Sequence, residues 1–212
     1  MASLTHQRLK TLLHQRNTNP DSAATIDAEI HANYVERYAV LILDMSGFSR
    51  LTMKHGIIHF LAMVQRLEDI ITPIVANHQG RVFKQEADNV FALFSSVEQA
   101  MDASVQLLDT LAIANQTTHP DQSLHASLGI GYGDLICITH EDQICDVYGH
   151  EMNLASKLGE DVGEPGEIWL TTAAYKQSNS HHNSQYEECN LSVSKVDMLA
   201  YKLVHSSDNL PQ

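Results

Sequence analysis

A long amphipathic stretch is the feature that most constrains the fold of this chain. Between Ile57 and Val75, apolar residues recur every three or four positions, which is helical spacing with one buried face. The residues of that face are Phe60, Met63, Val64, Leu67, Ile70, Ile71, Ile74 and Val75. Because such a face needs an apolar surface to pack on, the pattern predicts a long helix lying on a β-sheet.

Strand and helix signals on both sides of that helix predict an α+β fold. An apolar run at 38–43 precedes it, and runs at 81–83 and 90–94 form a hairpin after it. Ser96 and Gln99 have the spacing of a capping box that opens another helix. Later strands are expected at 124–132, 135–139, 144–148, 168–170, 186–191 and 196–204, and later helices at 150–158 and 172–177. This order predicts a ferredoxin-like sandwich, with helices packed on a central, mostly antiparallel sheet.

The chain divides into one domain with a short extension at each end. A weak stripe of leucines near the start, ended by Pro20, predicts one helix, and a second short helix is expected at 26–32. We therefore expect an N-terminal helical extension and linker at 1–33, a compact domain at 34–206 and a tail at 207–212.

Composition excludes several classes of function. A net charge of −13 argues against nucleic acid, which needs a concentrated basic face, and so disfavours an RNA-binding ferredoxin-like sheet. No apolar stretch is long enough to span a membrane, and the start lacks the layout of a signal peptide. Three scattered cysteines do not form a disulfide framework. We expect a cytoplasmic protein with no nucleic-acid or membrane partner.

Two aspartates stand at neighbouring strand ends. Asp44 follows the apolar run at 38–43, and Asp88 lies between the two runs of the predicted hairpin. A carboxylate at each of two adjacent strand ends can hold a pair of divalent cations for phosphoryl transfer. The alternative is that both are ordinary turn residues, since aspartate favours turns.

Four segments, in order, resemble the catalytic domain of class III nucleotidyl (adenylate/guanylate) cyclases. The run LDMSGFS at 43–49 resembles the family's "FxDxxGFT" opening of the metal site, and the hairpin at 84–94 resembles its second metal segment. GIGYG at 129–133 resembles the "GIHxG" strand. DVYGHEMNLASKL at 146–158 resembles "DxxGxxVNxAARL". The resemblance covers roughly 36–205 and implies the class III cyclase sandwich.

The resemblance implies a two-metal site. Asp44 and Asp88 correspond to the ligands of two divalent cations, Mg²⁺ or Mn²⁺, with the carbonyl of Met45 as a further ligand. Backbone amides at the start of the following helix would bind phosphate oxygens. These amides belong to Ser46, Gly47, Phe48 and Ser49.

The same resemblance assigns the base of the nucleotide. Lys84 and Asp146 occupy the positions of the adenine-reading residues, which favours ATP as the substrate. An ammonium suits the ring nitrogens of adenine, and a carboxylate suits its amino group. A cyclase acting on a guanine or pyrimidine nucleotide stays open, and so does a simple ion pair between the two side chains.

Two positions of the last matching segment are assigned to the reaction itself. Asn153 would orient the ribose, and Lys157 would stabilise charge at the α-phosphate. The family usually has arginine where Lys157 stands. Because lysine lacks the planar fork of arginine, the exchange is not conservative, and a solvated helix residue is the alternative reading.

Two further positions carry weaker expectations. Lys195 is the candidate for a lysine that binds the triphosphate, although a surface role fits as well. Ala87 stands where the family usually has glycine before the aspartate. Since that turn favours a positive φ, we expect Asn89 to take over this conformation.

Together these residues imply conversion of ATP to 3′,5′-cyclic AMP and pyrophosphate. In the family, the residues matching Asp44 and Asp88 come from one protomer, and those matching Asn153 and Lys157 come from the other. All four positions are present here, so a homodimer with two symmetric sites is implied. The alternative from a different class is a nucleotide-binding module with weak or lost turnover, which Lys157 and Ala87 favour.

Overall fold

A computed structural model describes residues 6–141, 143–178 and 185–204. The helices are α1 (His6–Thr18), α2 (Ala23–Tyr34), α3 (Phe48–His55), α4 (Ile57–Asn77), α5 (Val97–Gln116), α6 (His150–Ser156) and α7 (Thr172–Gln177). The strands are β1 (Val35–Met45), β2 (Arg81–Glu86), β3 (Asn89–Phe94), β4 (Ala126–His140), β5 (Gln143–Tyr148), β6 (Ile168–Thr171), β7 (Gln185–Val193) and β8 (Val196–Val204). The predicted tail at 207–212 lies outside the described residues.

The strands form one sheet in the order β2-β3-β1-β4-β6-β8-β7, and β5 pairs with the distal part of β4. Every pairing is antiparallel except that of β4 with β6. The predicted α+β fold with a mostly antiparallel sheet is therefore confirmed. The strand order also places the β2–β3 and β7–β8 hairpins at opposite edges of the sheet.

The long amphipathic helix is present as α4, and it packs on the sheet as its apolar spacing predicts. Met63, Leu67 and Ile71 of this helix join the largest apolar cluster, together with residues of β1, β3, β4 and α5. The capping box at the start of α5 is also present: the Gln99 N–H donates to Ser96 Oγ at 3.3 Å, and the Ser96 N–H donates to Gln99 Oε1 at 3.2 Å. Local sequence signals thus set both helices.

The two strands predicted at 124–132 and 135–139 are a single strand, β4, which pairs with β1 without interruption. Gly133 does not break the strand. It belongs to an alternating set with Gly129 and Gly131 that lies beneath α6. A Cβ atom at Gly129 would run into the carbonyl oxygen of Ala155, so these glycines permit close packing rather than a turn.

Other boundaries differ more modestly from the prediction. The helix expected at 26–32 is longer, since α2 begins at Ala23. The helix expected at 150–158 ends at Ser156 and continues as a π-helical turn, Lys157–Val162. In contrast, α7 and β8 have the predicted bounds.

The helices α1 and α2 pack against each other and on the distal part of β4. Leu9, Leu12 and Ile30 are buried with Ile138 in a separate apolar cluster. Ion pairs between Arg8 and Glu29 and between Arg16 and Asp27 join the two helices. In the described part of the chain, no helix is both long and apolar enough to cross a membrane.

Candidate active site

Asp44 and Asp88 meet at one end of the β1–β3 pair. Asp44 is the next-to-last residue of β1, and Asp88 lies in the two-residue turn between β2 and β3. Since Leu43 pairs with Val90, the register sets Asp44 opposite Asn89, the neighbour of Asp88. The fold therefore brings the two carboxylates that the sequence singled out to one place.

The turn that carries Asp88 has a conformation that the sequence analysis assigned wrongly. Ala87 itself adopts the left-handed conformation with φ of 54°, whereas Asn89 lies in the extended strand β3. A non-glycine residue at positive φ is strained, and the cost is of order 1 kcal/mol. The hairpin thus keeps the backbone path that the turn needs without the glycine.

Electrostatics set Asp44 apart from an ordinary turn aspartate. Burial raises the pKa of the half-buried Asp44 carboxyl to about 7, and the negative charge of Asp88 contributes next, followed by Glu160 and Asp161. Both effects penalise the ionised carboxylate. A cation placed between the aspartates would reverse this penalty, because opposite charge favours the ionised form.

The sequence analysis missed two acidic residues that act on Asp44. Glu160 and Asp161 lie in the π-helical turn after α6, and partial burial together with the charge of Asp161 raises the pKa of Glu160. Asp161 Oδ2 is also 3.9 Å from Lys157 Nζ. The only signal in the sequence is an acidic pair just after the last matching motif, and its approach to β1 becomes visible only in the fold.

The few oxygen ligands at this site suit Mg²⁺ or Mn²⁺ better than a metal ion whose ligands are all protein side chains. In the described ranges, no group of three or more His, Cys, Asp or Glu side chains is arranged to hold a metal ion. Mg²⁺ typically binds through one or two carboxylates and completes its octahedron with water and substrate phosphates. Asp44 and Asp88 could supply that number of carboxylates, and the backbone carbonyl of Met45 could add an oxygen.

The loop after Asp44 is held firmly to the core. Met45 and Phe48 are buried, and the Phe48 ring packs edge-on against Phe60 at a centroid distance of 5.2 Å. The Ser46 N–H donates to the carbonyl of His125 at 2.8 Å, so this amide, which the sequence analysis assigned to phosphate, is already engaged.

The remaining amides of the assigned set open a helix. Gly47 caps α3 in the left-handed conformation with φ of 82°, where a Cβ atom would be strained. The N–H groups of Gly47, Phe48 and Ser49 therefore lie at the start of α3, where amides have no intrahelical acceptor. Such a helix start favours an anion.

The proposed base-reading residues form a second charged pair. Lys84 of β2 and Asp146 of β5 approach to 3.6 Å between Nζ and Oδ1, and Lys84 also lies 2.8 Å from Glu86. The hydrogen bond of Glu86 and then the charge of Asp146 raise the pKa of Lys84. The Tyr148 hydroxyl donates to Asp146 Oδ2 at 2.8 Å, a contact that the sequence analysis did not anticipate.

The other assigned residues lie on α6, on the π-helical turn after it and on the β7–β8 hairpin. Asn153 is exposed on α6, and Lys157 begins the π-helical turn. Lys195 is exposed in the turn of the β7–β8 hairpin, where Ser194 and Lys195 both have positive φ. Within one chain, Lys195 is thus at the sheet edge opposite the turn that carries Asp88.

Comparison with known proteins gives the family context. The family model of the adenylate and guanylate cyclase catalytic domain matches residues 30–205. The adenylate cyclase of Streptomyces coelicolor is 29% identical over 122 residues, which are 58% of this chain and 29% of that protein. The chain spans less than a third of the length of the curated relatives it matches.

Solved structures with the same fold include enzymes named for either purine nucleotide. The adenylyl cyclase CyaB from P. aeruginosa has a TM-score of 0.67 at 20% identity, covering 84% of this chain and 99% of that one. The guanylyl cyclase Cya2 has a TM-score of 0.68 at 16% identity, covering 83% and 96%. These likenesses concern the fold alone. The family model matches most of this chain, which shows that the chain belongs to the adenylate and guanylate cyclase catalytic domain family.

Proposed function

We propose that the protein is a nucleotidyl cyclase that converts ATP to 3′,5′-cyclic AMP and pyrophosphate. The observation that carries this proposal is the juxtaposition of Asp44 and Asp88, two carboxylates whose mutual repulsion the described residues do not offset. Two divalent cations bound there, Mg²⁺ or Mn²⁺, would activate the ribose hydroxyl and neutralise charge on the triphosphate. Family membership supports the same chemistry.

The protein's own groups have separate tasks in this mechanism. Asp44 and Asp88 would hold the cations, and the amides of Gly47, Phe48 and Ser49 at the start of α3 would bind phosphate oxygens. The ribose 3′ oxygen then attacks the α-phosphorus, and pyrophosphate leaves on the opposite side. When bound, the cations would lower the pKa of the ribose 3′ hydroxyl, so that its proton could pass to water and the mechanism would need no separate histidine or carboxylate as a base.

We assign the ribose to α6 and the α-phosphate to the π-helical turn that follows it. Asn153 orients the ribose, and its exposed position suits contact with a molecule outside the chain's own core. Lys157 neutralises charge at the α-phosphate, which requires its ammonium to leave Asp161, now 3.9 Å away. Because an ammonium is a point charge, the interaction lacks the two-pronged geometry of arginine.

ATP is favoured by the pair formed by Lys84 and Asp146. Their side chains converge from two strands, and each is mostly shielded from solvent. The ammonium of Lys84 and the carboxylate of Asp146 complement the ring nitrogens and the amino group of adenine, so a base with a different pattern of donors and acceptors would bind less well. Guanine or pyrimidine nucleotides are the competing substrates, because relatives named for adenylyl and for guanylyl cyclase activity share the fold.

A homodimer would complete the site. Asn153 is exposed, and Lys195 lies at the sheet edge opposite the turn of Asp88. A second copy related by twofold symmetry can bring these residues to the metal side, and the same arrangement makes two equal sites. In this division, the domain at 34–206 forms the dimer, and α1 and α2 are an appendage on β4.

The test is a product assay with ATP, GTP, CTP and UTP in turn, each with Mn²⁺. We expect cyclic AMP and pyrophosphate in equal amounts from ATP, and slower turnover of the other three. Product from another nucleotide at a higher rate would reassign the base. Tight nucleotide binding with no pyrophosphate from any of the four would refute the cyclase activity and favour a binding module. The ion pair of Lys157 with Asp161 would then explain the lack of turnover.

A further inference from the structure

One carboxylate outside the assigned set joins three elements at the base of α6. Glu151 is the second residue of α6, and its Oε2 atom accepts hydrogen bonds from two donors. The Tyr132 N–H donates at 3.3 Å and the Thr171 hydroxyl at 2.6 Å. Thr171 Oγ1 in turn accepts from the Ala174 N–H and caps α7. A single oxygen therefore connects β4, α6 and the β6–α7 junction.

The strand pattern explains why β4 needs this acceptor. Parallel pairing of β4 with β6 ends where Ile130 lies opposite Leu170. Alternate residues of β4 point their N–H groups towards β6, so the next such group, that of Tyr132, lies past the end of the ladder. The Glu151 carboxylate supplies the acceptor that the sheet no longer provides. Without it, a partly buried N–H group would lack a partner, which is costly.

The sheet is also shaped to receive residue 151. A Cβ atom at Gly131 would lie 2.5 Å from the carbonyl oxygen of Glu151, and one at Gly133 would lie 2.9 Å from its Cγ. The first distance would require the backbone of α6 to shift, and the second would require the Glu151 side chain to move. The glycines thus allow α6 to pack close to β4, and the hydrogen bonds of the Glu151 carboxylate hold the helix in that position.

We propose that Glu151 is a positioning residue that fixes the height and rotation of α6, so that Asn153 and Lys157 meet the nucleotide correctly. Asn153 is two residues further on and exposed, on a different side of the helix from the anchored carboxylate. Glu151 itself contacts the protein rather than substrate. The inference rests on the proposed function and adds the residue that holds the ribose and α-phosphate groups in place.

Two substitutions distinguish the hydrogen bonds that Glu151 accepts from its negative charge. Glu151→Gln keeps an oxygen that can accept from both donors, and we expect its kcat to stay within about threefold of the wild type. Glu151→Ala releases α6, and we expect kcat to fall about 10- to 100-fold with little change in KM. Equal losses in both variants would overturn the proposal, since they would indicate a need for the charge.

A mixture of two inactive chains tests positioning directly. A chain with Asp44→Asn supplies α6 to the one complete site of a mixed dimer, and a chain with Asn153→Ala supplies Asp44 and Asp88. Glu151→Ala added to the first chain should cause the full loss, and added to the second chain a much smaller one. Equal losses from either chain would show a general effect on folding, and the positioning role would be wrong.

Failure of the proposed function is recognised separately in the same experiment. The mixture of Asp44→Asn and Asn153→Ala chains with Glu151 intact is the reference. If it forms mixed dimers but makes no product, the model of a site shared between two chains is wrong, and the role of Glu151 in that site is refuted as well. If Glu151→Ala does not fold, Thr171→Val and Thr171→Ser take its place. We expect the valine variant, which lacks the donor to Glu151, to lose several-fold in kcat and the serine variant to retain it.

Discussion

Two charged pairs in the candidate site are held in opposite ways. Asp44 and Asp88 carry like charges, and burial with that repulsion raises the pKa of Asp44 to about 7. Lys84 and Asp146 carry opposite charges 3.6 Å apart, and Glu86 and Tyr148 add further contacts to them. In the mechanism we propose, cations from outside the chain would complete the first pair. The second pair is satisfied before any ligand binds.

The contrast indicates which pair depends on a ligand and which selects one. A like-charged pair costs stability, so its retention at two strand ends is explained if bound cations offset the cost. A satisfied pair costs little to hold in place and presents defined donors and acceptors. We therefore expect substitutions at the first pair to abolish turnover and substitutions at the second to change discrimination.

The largest effect is expected from Asp44→Asn. It removes one proposed metal ligand while keeping the shape of the side chain, so kcat should fall at least about a thousandfold, or roughly 4 kcal/mol of transition-state stabilisation. The measurement is the initial rate of cyclic nucleotide formation with saturating Mn²⁺. Asp134→Asn is the matched control, because Asp134 pairs with Arg37 on the surface. A loss of less than about tenfold would remove Asp44 from the metal site.

A smaller and different effect is expected from Asp146→Asn. The amide keeps one acceptor oxygen but loses the charge opposite Lys84, so kcat/KM for ATP should fall about 30- to 100-fold. Metal binding should be unchanged, because Asp146 lies on β5 rather than at the ends of β1 and β3. Competition between ATP and GTP measures the discrimination. Unchanged preference between them would contradict the assignment of the base pocket.

The pH dependence of stability should also distinguish the pairs in metal-free protein. The pKa of Asp44 is about 7 in the folded state against an ordinary 3.8, so the folded protein binds more protons between these values. Stability from this group is therefore present below about pH 4 and lost as the pH rises through 7. Solvent screening of the half-exposed group limits the loss to about 2 kcal/mol.

Urea unfolding at pH 5 and pH 8 measures roughly two thirds of this loss, since the decline begins near pH 4 and ends near pH 7. Asp44→Asn should lack that part of the decline, and Mn²⁺ should restore stability to the wild type at pH 8. A wild-type protein whose pH profile matches that of Asp44→Asn would contradict the raised pKa of Asp44.

The smallest effect is expected from Tyr148→Phe. The phenol donates to Asp146 Oδ2, so its removal should loosen the carboxylate and raise KM for ATP about threefold, with kcat nearly unchanged. Steady-state kinetics with ATP suffice as the measurement. A fall in kcat alone would mean that Tyr148 acts on the reacting groups instead.

Local patterns predicted much of this structure, and long-range packing decided the rest. The apolar spacing of α4, the capping box at Ser96 and the hairpin around Asp88 depend on neighbouring residues, so they could be read directly from the sequence. The continuity of β4 could not be read from the sequence. Gly133 suggests the end of a strand, and only the packing of α6 against it explains why a glycine stands within a continuous strand.

The site shows the same division. The motifs singled out Asp44 and Asp88, but the approach of Glu160 to them depends on how the turn after α6 meets β1. The engaged amide of Ser46 depends on the backbone of His125, which is far away in the chain. Contacts between distant segments leave no periodic signal in a single sequence.

The number of Mn²⁺ ions bound with a nucleotide tests the role of the two aspartates most directly. Equilibrium dialysis with 3′-deoxy-ATP, which lacks the attacking hydroxyl, keeps the complex from reacting. We expect about two Mn²⁺ ions per bound nucleotide in the wild type and about one, carried by the triphosphate, in Asp44→Asn. The same count in both proteins would contradict a two-metal site at Asp44 and Asp88.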